Sequence, residues 1–546
     1  MDKSKTRRSP YVKPEDGDNV VITGMSGWFP DSRNIHHFRD NLFNKVDLIS
    51  GDFRRWKPLH PEVPQRTGKM YDIEKFDLGF FGVTTGVTTG QSYNMDPMVR
   101  LLLERTVEAI IDAGYCPADF ENTNTGVFVG TCNSETERCV YYETLIPSTD
   151  AMTGAHRSMY AARMSYYLKL KGMSFITDTA CSSSAYAIEE AYCAIREGLC
   201  DKAFVCGTNL CLIPAVSLQF TRLGVLSKDG ASKSFDARGN GYVRSESCVV
   251  ILLEKAKDAK RIYSELIYAK TNCDGFKTKG ITFPSSELQK ALMRDFYDEC
   301  HIDPTQLTFM EAHGTGTKAG DPEELSTLDD VFCIKRTTPL LIGSVKSNIG
   351  HTEPASGLCS IVKAILAMET GFIPPNINYM IPRPESEGLV SGRMVVVTEK
   401  TPLPDQRGLI GVNSFGFGGA NAHLLLHWNP KAKINDGQPS DCLPRLLCIS
   451  GRTKDGIAAI LNDFQSRKCD AEYAYIIHVV NRKNIEGYLY RGYGIFDKTG
   501  EIKKSISELV ADKPQLYFVF TNFSGDVLKV APHLMEIPIF AVFRLY

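Results

Sequence analysis

Three short stretches hold the residues best suited to chemistry. In MSFITDTACSSSAYAIEEAYCAIREG (173–198), Cys181 stands where a β-rich run turns into a helical pattern. The N–H groups and dipole at a helix start favour a thiolate. The same N–H groups can hold the oxyanion formed when sulfur attacks a thioester carbonyl, which is covalent acyl-transfer chemistry. In FMEAHGTGTKAGD (309–321), His313 ends a short β-type run, and the glycines and threonines after it leave the backbone open to a ligand. In LIGSVKSNIGHTEPASG (341–357), Lys346 and His351 occupy a Gly-rich loop entering an Ala-rich helix. Two histidines at open turns, in a chain with only 11, suit a site that steadies negative charge near neutral pH. Each residue also has a plainer reading, as a structural core cysteine or a loop histidine capping backbone groups. Metal binding is disfavoured because no His, Cys or carboxylate cluster has ligand spacing. A fourth stretch, GVNSFGFGGANAH (411–423), lacks both GxGxxG and a P-loop lysine, which argues against a nucleotide cradle. It reads as close backbone packing with an aromatic lid at Phe415 or Phe417.

The elements that must carry these residues are short. From Asn19 to about Trp428, β-rich runs such as NVVITGMSG, TGVFVGTC, KAFVCGTN and LLIGSVKSN each lead through a Gly-containing turn into a helical pattern. That alternation predicts an α/β architecture with buried strands. The helix after Cys181 should end at Gly198, and Ala185, Ala187, Ala191 and Ala194 make it slender enough to lie between sheets. Residues 1–18 read as a solvated, disordered tail, and KAKINDGQPSD (431–441) as a linker. A small segment follows, with a strand at PRLLCIS and a helix from about Lys454 to Gln465; QLYFVF then opens a further strand.

Composition excludes several classes of function. With 43% hydrophobic and 23% charged residues the chain is an ordinary globular one, and a net charge of −2 gives no reason to expect nucleic acid or an anionic membrane as partner. No apolar run approaches a membrane span, and the N-terminus lacks the apolar core of a signal peptide. The 16 cysteines are scattered without CxxC spacing, which predicts reduced thiols and a cytoplasmic setting.

Taken together and in order, TACSSS, EAHGTGT, KSNIGH and NSFGFGG resemble the signature set of β-ketoacyl synthases of the thiolase superfamily. The resemblance covers about Asn19 to Trp428. GMSGWFP, NMDPMVRLLLE, QFTRLGVLS, FDARGNGYVRSE and NCDGFKTKGITFPS make it closest to the condensing domain of animal-type fatty acid synthases, with polyketide synthases as the alternative. It implies a five-layered αβαβα thiolase-like fold and a homodimer. It also assigns roles: Cys181 as the acyl-accepting nucleophile, His313 and His351 as the pair that promotes malonyl decarboxylation, and Lys346 as their electrostatic support. Thr315 and Thr317 would contact a phosphopantetheine arm, and Phe417 would be an aromatic gate. The implied substrates are acyl- and malonyl-loaded acyl carrier protein, and the condensation needs no further cofactor and no metal. A thiolase is disfavoured, since thiolases use a second cysteine in place of the paired histidines.

The resemblance continues beyond Trp428. LPRLLCISGRT and YRGYGIFD resemble the linker domain of a fatty acid synthase, and QLYFVF and HLMEIPIF the opening of its malonyl/acetyl transferase. The organisation expected is therefore a tail (1–18), a synthase domain (19–429), a small α/β linker domain (430–512) and a truncated transferase start (513–546). GxSxG, the motif of an acyltransferase serine, is absent. These features predict a condensing enzyme from a fragment or truncated gene product, with a non-catalytic dimerisation partner as the rival.

Overall fold

The computed structural model describes residues 11–57, 60–143, 150–404, 408–429, 443–466, 470–483, 485, 487–497 and 500–509. Its first half contributes β1 (Val20–Trp28), β2 (Thr125–Gly130), β3 (Ser174–Thr177), β4 (Lys202–Asn209) and β5 (Ser247–Lys255). Its second half contributes β6 (Ser264–Cys273), β7 (Leu307–Glu311), β8 (Leu340–Gly343), β9 (Met394–Val396), β10 (Leu409–Phe415) and β11 (Ala420–Trp428). All join one 11-stranded sheet in the order β9-β8-β7-β10-β11-β6-β1-β5-β4-β2-β3.

Read inward from each edge, the halves share one topology. In the first half β3, β2 and β4 are parallel, while β5 and β1 follow antiparallel. In the second half β8, β7 and β10 are parallel, while β11 and β6 follow antiparallel. Only β9 is extra. A short antiparallel contact between β1 and β6, at Val21–Glu265 and Ile22–Ser264, joins the two copies.

Strand periodicity then generates the layers. Val249, Ile251 and Leu253 of β5 face a central core, and Cys248, Val250 and Leu252 face an outer one, because successive side chains point to opposite faces. The outer core of the first half is covered by α1 (Pro97–Asp112) and α2 (Met159–Tyr167). The central core holds α3 (Ser183–Arg196) together with a helix from the second half. That second half is covered outside by α4 (Ser286–Cys300) and α5 (Gly320–Leu328), and its central helix is α6 (Ser356–Thr370). The result is the five-layered αβαβα arrangement. Small residues allow the middle layer: Ala185, Ala187, Ala191 and Ala194 are all buried. At Gly357 a Cβ would lie 3.0 Å from Ser184 Oγ and 3.2 Å from the Ala185 Cβ, so α6 can approach α3 closely. The helix α3 stops at Glu197 and Gly198, the latter with φ +73°.

The small C-terminal unit is α/β as expected. Here β12 (Arg445–Gly451), β13 (Tyr490–Asp497) and β14 (Gly500–Glu508) form an antiparallel sheet backed by α7 (Lys454–Ser466) and α8 (Ala471–Asn481). Its core gathers Leu447, Ile449, Ile457, Leu461, Phe464 and Phe496. The unit touches the main body through a Lys483–Asp119 ion pair (2.6 Å), an Arg452–Asp77 pair and the rings of Tyr488 and Phe80.

The expected solvated tail is only partly so. Tyr11 lies against Tyr268 with ring centroids 5.1 Å apart, Arg196 donates to the Val12 carbonyl at 2.7 Å, and Asp18 pairs with Lys257 at 2.7 Å. A charge-based reading overlooked the anchoring aromatic ring. Residues 1–10, the whole polar stretch 431–441 and the transferase-like segment 513–546 lie outside the described residues. The described cysteines are all free thiols.

Candidate functional site

The duplicated topology brings the three chemical stretches together. Cys181 follows β3 and the Lys346–His351 loop follows β8, the equivalent strand of the other half; His313 follows β7, the counterpart of β2. The segment from β8 to α6 (344–355) is longer than its counterpart from β3 to α3 (178–182), and the extra length carries Lys346 and His351.

Cys181 sits on a tightly tied turn. Ala180 before it has φ +55°, a left-handed conformation that costs a non-glycine residue about 1–2 kcal/mol. Ser183 holds the turn, donating from Oγ to the Ala180 carbonyl at 2.6 Å and accepting the Thr179 N–H at 2.9 Å. The Cys181 carbonyl accepts from Ser356 Oγ and Ser414 Oγ, each at 3.0 Å, which anchors the nucleophile's backbone to the second half. The thiol is half-buried. Burial pushes its pKa up and Glu353 adds to this, while the N–H of Phe417, the Lys346 charge and its own N–H pull it down. Both N–H groups point at the sulfur, that of Phe417 coming from the loop after β10 rather than from the helix start. Burial outweighs them and pushes the thiol up to about 12, against the preference for thiolate that the helix start alone supplies.

The two histidines meet edge to face, with ring centroids 5.4 Å apart and planes at 85°. His313 Nδ1 accepts the Phe415 N–H at 3.3 Å, and His351 Nδ1 accepts the Glu353 N–H at 3.2 Å. With Nδ1 an acceptor in both, the proton of each neutral ring sits on Nε2. Burial first, and the nearby Lys346 charge second, drive both pKa values well below 6.5, so both rings are neutral. Among the described residues, His351 Nε2 and Lys346 Nζ are buried and have no hydrogen-bond partner. Buried polar atoms are nearly always paired, so two orphaned donors at one place mark where a ligand atom belongs.

The loops are held from behind. The Glu324 carboxylate accepts the N–H groups of His313 and Gly314, both at 2.8 Å. Thr315 and Thr317 lie just beyond, their hydroxyls 3.0 Å apart, and Thr317 also caps the Gly320 N–H at 3.0 Å. Gly316 is required between them: its φ is +77°, and a Cβ would lie 2.9 Å from the Lys233 backbone N. Of the two lid candidates, Phe415 is buried with its ring 5.6 Å from His313, whereas Phe417 is 43% exposed while its N–H faces the Cys181 sulfur.

Sequence reasoning missed a buried charge cluster behind His351. Arg244 donates to Glu353 (2.6 Å) and Glu135 (3.4 Å), and Glu135 also accepts the Leu212 N–H at 2.6 Å. Glu353 stands two residues after His351, and its φ of +48° is a feature that no sequence pattern announced. Arg244 lies inside the quoted FDARGNGYVRSE stretch, but nothing in sequence paired it with Glu135, 109 residues away. Among the described residues no group of three or more His, Cys, Asp or Glu could hold a metal ion, and no helix is long and apolar enough to cross a membrane.

Comparison with known proteins places this geometry in context. Residues 17–259 match the model of the β-ketoacyl synthase N-terminal domain, 263–380 that of its C-terminal domain, and 382–495 that of the ketoacyl-synthetase C-terminal extension. A fatty acid synthase sequence of the goose Anser anser anser is 49% identical over 354 residues, 65% of this chain and 99% of the goose sequence. A highly reducing polyketide synthase of Stachybotrys chartarum is 36% identical over 466 residues, 81% of this chain but only 19% of the fungal protein. The ketosynthase from module 6 of the bacillaene synthase of Bacillus subtilis 168 superposes with a TM-score of 0.77 at 31% identity, covering 90% of this chain and 87% of that one.

Proposed function

The chain belongs to the β-ketoacyl synthase family, and on that footing we propose that it extends acyl chains by decarboxylative condensation, with Cys181 as nucleophile and His313, His351 and Lys346 as the charge-stabilising set. The observation that carries this is the pair of orphaned donors, His351 Nε2–H and Lys346 Nζ, beside His313 and next to a half-buried thiol.

In the first step the Cys181 sulfur attacks the thioester of an acyl group on a carrier protein. The N–H groups of Cys181 and Phe417 are placed to steady the oxyanion. The old C–S bond breaks, and the proton lost by Cys181 ends on the departing phosphopantetheine thiol. In the second step a malonyl thioester binds with its carbonyl oxygen toward the Nε2–H groups of His313 and His351. Its C–CO₂ bond breaks, CO₂ leaves, and the electron pair forms an enolate held by the two neutral rings with the Lys346 charge behind them. The enolate carbon attacks the acyl-Cys181 carbonyl and the C–S bond breaks, giving the 3-ketoacyl product and a Cys181 thiolate that takes up one proton from solvent to return to the thiol. Thr315 and Thr317 are positioned along the loop that would receive the pantetheine arm, and Phe417 guards the sulfur from solvent. Water must be kept out, because it would hydrolyse the acyl-cysteine.

We read the product class as fatty acyl, since identity to the goose fatty acid synthase (49%) exceeds that to the fungal polyketide synthase (36%). A cytoplasmic homodimer served by acyl carrier protein completes the reading, with β3 at the sheet edge as the strand open to a partner copy. The decisive experiment separates the half-reactions. Cys181→Gln should form no acyl-enzyme and no ketoacyl product yet still release CO₂ from malonyl-carrier protein, whereas His313→Ala should still acylate Cys181 but release no CO₂ and form no ketoacyl product. Loss of CO₂ release in a folded Cys181→Gln protein would overturn this division of labour.

A further inference from the structure

Glu311 and Lys363 form an ion pair at 2.7 Å with both side chains fully buried, and no step above uses it. Such a pair is poor evidence of stabilisation, because apolar side chains of similar volume usually serve as well or better. Its location is informative. Glu311 is the last residue of β7, two before His313, and Lys363 is on α6, the helix that follows the His351 loop. The Glu311 carboxylate divides its oxygens: Oε1 accepts the Val345 N–H at 2.6 Å, and Oε2 faces Lys363 Nζ. Val345 immediately precedes Lys346, so Glu311 fixes the turn from which that lysine projects.

Lys346 has two carboxylates in electrostatic reach, Glu311 and Glu324, yet its Nζ is bonded to neither. Glu324 is occupied by the N–H groups of His313 and Gly314 and by Asn413 Nδ2. Glu311 Oε1 is occupied by the Val345 N–H, and Oε2 lies 2.7 Å from Lys363 Nζ as a close ion pair without hydrogen-bond geometry. The first half has no counterpart: its equivalent strand ends in Gly130, where a Cβ would already lie 2.5 Å from the Ser184 backbone. The pair is thus built only in the half that holds the histidines.

We infer that the Glu311–Lys363 pair is a positioning device for malonyl decarboxylation, in which Glu311 sets the Lys346 turn and Lys363 keeps Glu311 from capturing the Lys346 ammonium. This rests on the role given to Lys346 above. Glu311 has a second effect. Burial lowers the Lys346 pKa, and Glu311 and Glu324 are the main charges that raise it again. The other titratable groups facing Lys346 are Cys181, Cys359, Asp321 and the two neutral histidines. Without the Glu311 charge, Lys346 loses its proton at lower pH.

The test uses the full chain with malonyl- and acyl-carrier protein, and reads the ratio of CO₂ release to Cys181 acylation, so that a partly unfolded fraction cancels. In Glu311→Gln, Lys363 is left buried without its partner, and both melting temperature and ratio should drop. In Glu311→Gln/Lys363→Met both charges are gone. Melting temperature should recover, while the ratio stays about ten- to a hundredfold down, the range seen when a supporting residue behind a catalytic group is lost. The alkaline limb of its CO₂ profile should move to lower pH. Lys363→Arg, which preserves the pair, should keep the ratio. If the double variant regains the wild-type ratio and pH profile along with its stability, the pair is structural and the inference falls. A wild-type protein that releases no CO₂ would overturn the functional reading itself, and this inference with it.

Discussion

Gly130→Ala is a sharp probe of how the nucleophile is held. Gly130 ends β2 beneath the start of α3, and an added Cβ would meet Ser184 N at 2.5 Å, Ser184 Cα at 2.7 Å and the Ser183 carbonyl carbon at 2.8 Å. Ordinary contact begins at 3.4 Å, so strand and helix must part by about 0.9 Å. The obstacles are backbone atoms, which cannot swing aside as a flexible side chain would. Overpacking of this kind costs about 1–3 kcal/mol. The kinetic cost should be larger, because a misplacement of about 1 Å can lose about a hundredfold in rate. Acylation of Cys181 should therefore slow by about that factor. Release of CO₂ should persist, since His313, His351 and Lys346 are held by the second half. The assay is rapid-quench transfer of a radiolabelled acyl group from carrier protein to enzyme, with CO₂ release measured on the same preparation. Gly198→Ala is the control: it lies at the far end of α3 with φ +73° and open space around it, so it should cost about 1 kcal/mol in stability and leave acylation alone. Wild-type acylation by a folded Gly130→Ala protein would refute the claim that this contact sets the position of Cys181.

Other outcomes follow from the same geometry. His313 and His351 stay neutral when folded but protonate near 6.5 when unfolded; their contribution to stability is full above that pH and is lost below it, by about 1.4 kcal/mol per histidine per pH unit, until the folded pKa is reached. By the same sign, CO₂ release should stay level as pH falls through 6.5, and a half-loss centred there would contradict neutral rings held by burial. Arg244→Met would leave Glu135 and Glu353 buried without their shared counter-charge and should cost about 3–5 kcal/mol in denaturant unfolding; an unchanged midpoint would show that the cluster does not matter. Gly316→Ala forces a Cβ against the Lys233 backbone beside Thr315 and Thr317, and should raise KM for carrier-bound substrates by about tenfold while sparing iodoacetamide labelling of Cys181; an unchanged KM would remove the loop from the pantetheine path.

The parts of this molecule that were legible in sequence are those dictated over short distances. The run MSFIT, the turn DTACSSS and the alanines of α3 foretold a strand, a tight turn at Cys181 and a slim buried helix, because strand period, helix stop and residue size act locally. The glycines around His313 were legible for the same reason. What stayed hidden depended on packing. The repeat of sheet order between the halves left no trace in sequence, since equivalent strands need only equivalent burial. Tyr11 looked like part of a polar tail until Tyr268 was beside it. Arg244 and Glu135 are separated by 109 residues, and each alone reads as a surface charge. The balance at Cys181 needed the structure, because a helix start can be read from sequence whereas depth of burial cannot.

The two halves also explain why the site divides its labour as it does. Equivalent strand ends present different equipment: Gly130 and Cys132 after β2, Glu311 and His313 after β7. Cys132 lies 3.4 Å from the Ala180 carbonyl and 3.5 Å from Ser183 Oγ, so in the first half this position buttresses the nucleophile's turn. In the second half the same position bears a histidine, His313, whose Nδ1 accepts the Phe415 N–H and whose proton therefore sits on Nε2. A symmetric site would have offered two nucleophiles or two charge sinks, and neither alone can condense an acyl group with a decarboxylated malonyl unit. The longer 344–355 segment breaks the symmetry further by inserting Lys346 and His351 where the first half has only a tight turn. Chemistry that needs a sulfur and an oxyanion site facing one another thus follows from placing unlike loops on like frames.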